Sequence, residues 1–351
     1  MPVVQDFLDM RLVAKGVART AFYDKLRSGQ SIDWPYITDG YVQTYIPGSD
    51  LTIPNNTATS NTMLINQSKA AVFTLDPNAQ AQAEDKTIQA RLAAQHSFNV
   101  ASNIDQTVLS TAVNGAGNTV AGGTLSVSNI YSKLCDGMSA LMRDNAYGTK
   151  FAILDPERIA LLAQFEVANG WNVADNALAN GFVGSSAAGF RVYSSNNLPT
   201  AVTVTCATQP ANLDTFTLMG YTWTCVTDGT AATAGQVNIG ANLADFKLIL
   251  KDLVNGGTTY SADYVDVSVA QRRKYQNAQL AAAIFSGDTC AVTGFGKINW
   301  TASTGTATIT VGTETGSLLL GDTGAVSLGM QIMPNMYEGR EAKRPETNYI
   351  I

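Results

Sequence analysis

The stretch from Asp76 to Val113 constrains the fold of this chain more than any other. Asp76 is a favourable helix N-cap, and Pro77 suits the first helical position, where its missing N–H costs nothing. The residues that follow are rich in Ala, Gln, Glu, Lys, Arg and Leu, with no Gly or Pro until Gly115. They predict one helix of roughly 50 Å at 1.5 Å per residue, longer than the ~30 Å width of a small domain. Its apolar positions drift, from Ile88 and Leu92 to a rotated face of Phe98, Ala101, Ile104, Val108, Leu109 and Ala112. That drift predicts a spine that touches different elements along its length, not a rod inside one core.

The 351 residues leave room for two or three domains around such a spine. Only 14% are charged, against about 25% in ordinary domains, so Ser, Thr, Asn and Gln must supply the polar surface. This suits extensive packing against neighbours, and equally a β-rich secreted protein. The net charge of −6 argues against sequence-specific nucleic-acid binding, which needs a basic face. Met1 to Met10 lacks the basic and apolar regions of a signal peptide, and no apolar run approaches the ~18 residues of a membrane span.

Before the spine, residues 3–27 carry a loose helical pattern interrupted at Gly16, an arm too short to make its own core. Ser28 to Pro35 breaks it. Tyr41 to Ile46 and, less regularly, Met63 to Leu75 alternate as strands around a Pro-, Gly-, Asn- and Thr-rich connection from Pro47 to Thr62. They predict a long projecting hairpin, which needs a partner surface because isolated hairpins are marginal in water.

After the spine, Ser128 is placed to cap a helix with Ile130, Leu134, Met138, Leu141 and Met142 on one face. Lys150 to Leu154 reads as a buried strand, and Asp155-Pro156 opens a further helix. Phe190 to Leu198 returns as a strand, which completes a compact α/β unit. From Thr200 strands dominate. Phe216 to Cys225 predicts a hairpin turning at Met219-Gly220, followed by a strand at Gln236 to Ile239. Asn242 caps a helix ended by Asn255, Gly256 and Gly257, and Ser268 with Gln271 forms a capping box. Strands at Leu280 to Phe285, Lys297 to Trp300 and Thr306 to Val311 complete an α+β unit with its own aromatic core. Ser317 to Met333 reads as a strand pair broken at Gly321 to Gly324, and Asn348 to Ile351 as a last strand.

The residues offer no catalytic constellation. His96 sits mid-helix between Gln95 and Ser97, and Asp155 and Glu157 are explained by the helix dipole. Arg272, Arg273 and Lys274, the densest basic cluster, read as a solvated face. The glycines from Gly115 to Gly123 lack a phosphate-loop pattern. Cys135, Cys206, Cys225 and Cys290 form no C-x-x-C pair, and one His leaves nothing for a His/Cys metal site. The thiols are either free and buried, or Cys206 and Cys225 bridge neighbouring strands.

The order of parts, and the phrases FTLDPNAQAQAEDKT, ASNIDQTVL, FAILDPERIALL, GFRVYSSNNLP and GSLLLGDTGAVSLGMQ, resemble the major capsid protein of tailed bacteriophages, of the Hong Kong-type capsid fold. The segments DTFTLMGYTWTCVTDG, GQVNIGANLADFKLILKDLVN and TGFGKINW resemble an inserted module of phage structural proteins, which sits on the outer surface and can contact neighbours. The resemblance implies an α+β chain with an N-terminal arm (1–33), an E-loop hairpin (34–75), a peripheral domain holding the spine helix (76–125), and an α/β axial domain (126–200). An inserted β-rich α+β domain (201–316) and C-terminal return strands (317–351) follow.

It further implies a non-enzymatic structural subunit that assembles into hexamers and pentamers of an icosahedral shell around double-stranded DNA. The alternatives are a cellular nanocompartment shell of the same fold, or a phage decoration or tail protein. No cofactor, metal or membrane is implied. The partners would be other copies of the chain, separate scaffolding and portal proteins, a decoration protein and non-specifically contacted DNA. The chain would reside in the virion after assembly in the host bacterial cytoplasm. Two departures stand out: relatives usually continue beyond the equivalent of Thr347 to Ile351, and some fuse a cleavable scaffolding region to the N-terminus, whereas here the arm begins almost at Met1. Lys69, on the returning hairpin strand, has no matching Asn for the covalent crosslink some relatives form and reads as a solvent or intersubunit Lys.

Overall fold

A computed structural model describes residues 12–20, 31–37, 43–48, 50, 58–75, 88–120, 125–169, 186–266, 268–304, 309–312, 314–315, 318–328, 337–340 and 347–350. The chain divides into two compact units, Met1–Ala101 with Val326–Ile351, and Ser102–Ala325.

In the first unit a short helix α1 (Val13–Val17) buries Ala14 and Val17, and Gly16 lies inside it instead of interrupting it. The arm finds its surface through main-chain bonds. The Arg19 N–H donates to the Val326 carbonyl at 2.8 Å, and the Leu328 N–H to the Arg19 carbonyl at 3.0 Å. The expected hairpin exists with a different first strand. Strand β1 (Ser31–Ile37) pairs antiparallel with β2 (Ala58–Leu64), from Ser31 opposite Leu64 to Ile37 opposite Ala58. Ser28–Pro35 was read as ending the helical pattern of the arm, and from Ser31 the chain is strand, with Pro35 inside β1. A two-stranded sheet leaves each strand one unbonded edge, where a missing N–H is tolerated. Gln43 to Ile46, assigned to a strand from the sequence, has no regular structure. The second half of the expected strand splits: β2 ends at Leu64, and β3 (Val72–Leu75) joins a separate sheet. There β18 (Thr347–Ile350) lies between β17 (Tyr337–Arg340) and β3, both antiparallel to it. Lys69 is exposed between β2 and β3, outside either strand.

The long helix α2 covers Ile88–Asn114, 27 residues or about 40 Å. Asp76 and Pro77 lie outside the described residues. The helix stops before Gly115, whose N–H donates to the Thr111 carbonyl at 2.9 Å. The drifting stripe is only partly what the helix buries. Ala101, Val108 and Leu109 are buried and Phe98 is 42% exposed, while Ser97, Asp105 and Gln106 are buried as well.

The second unit begins with α3 (Ile130–Arg143). Its N-cap is Asn129 and not Ser128, which sits one residue earlier in the preceding turn. Ile130 and Leu134 are fully buried, as the period required, but Met142 at the far end is 62% exposed. Strand β4 (Lys150–Leu154), helix α4 (Pro156–Ala168) and strand β6 (Phe190–Ser194) form a parallel βαβ unit. Strand β5 (Ser186–Ala187) extends the β6 edge, and β16 (Leu318–Asp322) closes the other side of β4 antiparallel. Gly321, expected in a turn, is inside β16. A Cβ there would lie 2.6 Å from the Phe151 ring, so the glycine permits close approach and does not mark a turn.

Between β6 and β16 the chain builds two further sheets. One orders β11 (Tyr264–Val265), β10 (Gln236–Asn238), β9 (Tyr221–Val226), β8 (Thr215–Leu218) and β14 (Trp300–Thr304). The other orders β12 (Ala281–Ala282), β13 (Thr289–Phe295), β7 (Pro199–Cys206) and β15 (Ile309–Val311). The β8–β9 turn falls at Met219-Gly220 as expected, both at positive φ (52° and 80°), the pairing that two-residue hairpins favour. β9 and β10 run parallel without a helix between them, because their short overlap asks the connection to retreat only about two residues. Helix α5 (Leu243–Asn255) is capped by Asn242, which accepts from the Asp245 N–H at 3.0 Å, and ends at left-handed Gly256. Helix α6 (Val269–Asn277) is capped by Ser268. One core, with Trp223, Tyr275, Phe216 and Phe246 as its largest fully buried members, joins both sheets and both helices. A separate core of Ile130, Leu134, Ala152, Leu154, Leu162 and Phe190 holds the βαβ unit.

The seven-residue β7–β13 ladder is the longest in this region, and neither strand was among those assigned from the sequence. The expected strand at Leu280–Phe285 shrinks to two residues, and that at Lys297–Trp300 begins only at Trp300.

Candidate functional site

In a βαβ unit, ligands ordinarily bind outside the carboxyl ends of the parallel strands, at the helix N-terminus. Here that place is filled by the protein's own groups. Asp155 caps α4 by accepting from the Arg158 N–H at 2.8 Å, and its carboxylate lies 3.8 Å from the Arg158 guanidinium. Glu157 forms an ion pair with Lys297, which follows β13. Glu314, ahead of β16, accepts from the Ile298 N–H at 2.8 Å. Burial pushes the Glu314 carboxyl up, against the pull of that N–H, Arg158 and Lys297. The Ser195 N–H, just past β6, donates to the Leu154 carbonyl at 3.0 Å. The Glu157–Lys297 pair joins the two-sheet region to the βαβ unit.

His96 is half-buried in mid-helix. Arg272 is not solvated: it forks onto Asp266 at 3.0 and 2.6 Å, donates to the Leu253 carbonyl at 2.8 Å, and lies over the Tyr264 and Tyr275 rings. Arg273 and Lys274 are exposed, with the Lys274 ammonium over Tyr221. All four cysteines are free. Cys206, Cys225 and Cys290 are buried, and Cys135 is exposed. Burial pushes the Cys206 and Cys225 thiols up to about 12, far from nucleophilic thiolates. Glu166 is buried with Oε2 unpartnered among the described residues, and burial raises its carboxyl. Among the described residues no group of His, Cys, Asp or Glu is arranged to hold a metal, and no helix is long and apolar enough to cross a membrane.

A polar joint that the sequence did not reveal ties α2 to the two-sheet region. The Gln106 amide donates to the Asn277 carbonyl at 3.3 Å and Asn197 Oδ1 at 3.4 Å, and accepts from Gln279 Nε2 at 2.5 Å. Ser102 donates to the same Asn197 oxygen at 2.9 Å.

The surface with unmet needs is the β1–β2 hairpin and the segment around it. Its two strands form a sheet of their own. Ser31, Asp33, Ser60, Asn61 and Thr62 are exposed, and the Thr62 hydroxyl donates across the pair to Asp33. Leu64 is 65% exposed, Tyr45 and Ile46 64% each, and Val72 55%. Tyr45 and Ile46 lie in the connection between the two strands, Leu64 ends β2, and Val72 begins β3, so exposed apolar side chains occur in and beside the hairpin.

No protein-family model matches the chain, and no curated protein matches it. Several solved structures overlap it. A structure of Mycobacterium phage Che8 is 16% identical with a TM-score of 0.45, over 53% of this chain and 69% of that one. The asymmetric unit of the bacteriophage PhiM1 mature capsid is 13% identical with a TM-score of 0.38, over 88% and 86%. The virus-like particle from Pyrococcus furiosus is 16% identical with a TM-score of 0.34, over 60% and 86%. All three TM-scores lie below 0.5, so these overlaps decide neither fold nor function by themselves.

Proposed function

We propose that the chain is a structural subunit of a closed protein shell, of the tailed-phage major capsid kind, assembling as hexamers and pentamers around double-stranded DNA. The observation that carries this reading is the β1–β2 hairpin: a two-stranded sheet of its own, with Leu64 bare at its end. Such a hairpin gains stability by lying on another surface, and a closed symmetric assembly offers the same surface to every copy. The occupied helix N-terminus of the βαβ unit and the protonated buried thiols support a structural role over a catalytic one.

In this reading the parts are the arm (1–33), the hairpin (34–75), the helix-bearing peripheral part (76–125), the axial part (126–200), the insertion (201–316) and the returning strands (317–351). Scaffolding and portal proteins would be separate chains. DNA contact would be weak and non-specific, as the net charge of −6 favours. Negative-stain microscopy of the purified protein tests the reading. Uniform shells are the expected result, and discrete small oligomers at every concentration would overturn it. Shells enclosing protein cargo and no nucleic acid would move the assignment to a cellular compartment.

A further inference from the structure

Leu213 occupies a position that a chain would ordinarily give to glycine. Its φ is 73°. The main chain pins it there: the Leu213 N–H donates to the Cys225 carbonyl at 2.7 Å, and the Cys225 N–H donates to the Asp214 carbonyl at 2.7 Å. Two residues, Leu213 and Asp214, therefore oppose one, the β-bulge whose first residue is usually a left-handed glycine. The same residue closes a turn in which the Asp214 N–H donates to the Ala211 carbonyl at 3.2 Å, while Asp214 Oδ2 accepts from the Ala211 N–H at 2.7 Å. Asn212 Oδ1 then accepts from the Thr227 N–H at 3.1 Å, tying this tip to the next loop. That loop is pinned in turn by buried Asn238 and by Gln236, whose side-chain oxygens take the N–H groups of Ala231, Ala232 and Thr233 at 2.9 to 3.0 Å.

The strain has no return within the fold. Met219, the other large apolar residue at positive φ, packs against the core of the two-sheet region. Leu213 is 70% exposed. A strained, bare leucine held on a hydrogen-bonded loop pair is an anchor prepared before binding, with little left to order when a partner arrives.

We infer that the Leu213 tip is a contact between copies of this chain, with Leu213 as its anchor. The charge pattern selects the occupant. Each copy carries a net charge of −6, so two copies repel at most places. Ala211, Asn212, Leu213, Thr227, Gly229 and Thr230 are exposed and uncharged; Asp228 beside them is exposed, while the carboxylate of Asp214 is buried in the turn. An uncharged patch with an apolar centre suits a like-charged partner and offers nothing to a phosphate backbone. The inference rests on the shell reading, which gives every subunit a neighbour.

The test uses full-length Leu213→Gly and Leu213→Asp. Glycine relieves the backbone, so the dissociated Leu213→Gly subunit is expected to melt at or a few degrees above the wild-type temperature. Shell assembly should weaken, the critical concentration rising about tenfold or more for loss of a buried leucine, and further for Leu213→Asp. Unchanged assembly of both variants, with wild-type shells present, would overturn the Leu213 contact and leave the shell reading standing. A wild-type protein that never forms shells overturns both. Normal variant shells that lose a second, separate protein would overturn the self-contact in favour of that protein.

Discussion

The indole N–H of Trp223 donates to the Tyr275 hydroxyl at 3.0 Å, with both side chains buried. The same oxygen accepts from Gln271 Nε2 at 2.8 Å and donates to the Leu218 carbonyl at 3.3 Å. One hydroxyl thus satisfies two donors and one acceptor drawn from β8, β9 and α6. Tyr275→Phe keeps the ring and removes the oxygen, taking this partner from all three groups in a dry core. The expected cost is about 3 kcal/mol, since each unsatisfied buried group costs roughly 1–3 kcal/mol with partial relaxation. Chemical denaturation of the full-length subunit measures it. Trp223→Phe removes one of those groups, so the double variant should lose less than the sum of the two single changes.

Gly321 makes a second, steric prediction. Its Cα hydrogen faces the Phe151 ring across the β16–β4 pair, and any Cβ would stand 2.6 Å from that ring. Phe151 is 2% exposed and cannot swing into solvent. Gly321→Ala should therefore cost about 1–3 kcal/mol, as overpacking does. Phe151→Leu removes the atoms that clash, so Gly321→Ala should cost much less in that background.

The buried thiols predict an alkaline limit. Cys206 and Cys225 are raised from 9.0 to about 12, chiefly by burial. A raised folded-state value means the folded chain holds the proton more tightly than the unfolded chain does. The stability tied to each thiol is complete below pH 9 and falls between pH 9 and about 12, at roughly 1.4 kcal/mol per pH unit. Unfolding free energy measured from pH 8 to 11 should show that fall, and Cys206→Ala with Cys225→Ala should flatten it. A disulfide reagent should label Cys135 alone in the native protein and all four thiols after unfolding.

These sites separate what the residues announce from what only the fold assembles. Asp155-Pro156, Asn242, Ser268 and Met219-Gly220 act on backbone within a few residues, and each does what its chemistry implies. The failures involve partners distant in sequence. Pro35 breaks a central strand but not the open edge of a pair. Gly321 resembles a turn until Phe151 arrives against it. Arg272 resembles a surface charge until Asp266, the Leu253 carbonyl and two tyrosine rings surround it. Strand β13 alternates clearly, with Cys290, Val292 and Gly294 buried, but its short, small residues carry little signal without β7 beside them. The joint at Gln106 was invisible for the same reason, since Asn197, Asn277 and Gln279 reach it from far along the chain. At the hairpin the need for a partner was legible, while the strand that makes it was not.

The hairpin gives the last prediction, and the one that separates assembly from folding. Leu64 ends β2 opposite Ser31 and is 65% exposed. An exposed side chain of this kind contributes within about 0.5 kcal/mol to the stability of its own subunit. If the hairpin lies on a neighbour, the same side chain is buried there and is worth about 1.5–3 kcal/mol at each repeat of the contact. Leu64→Asp would then place a carboxylate in that contact, at a cost no surface rearrangement offsets cheaply. The expected outcome is a dissociated subunit that unfolds at the wild-type denaturant concentration but yields no shells under conditions where the wild type assembles. Leu64→Met, which preserves an apolar contact, should assemble. Equal assembly of the Asp variant and the wild type would place the hairpin outside the contacts that hold the shell.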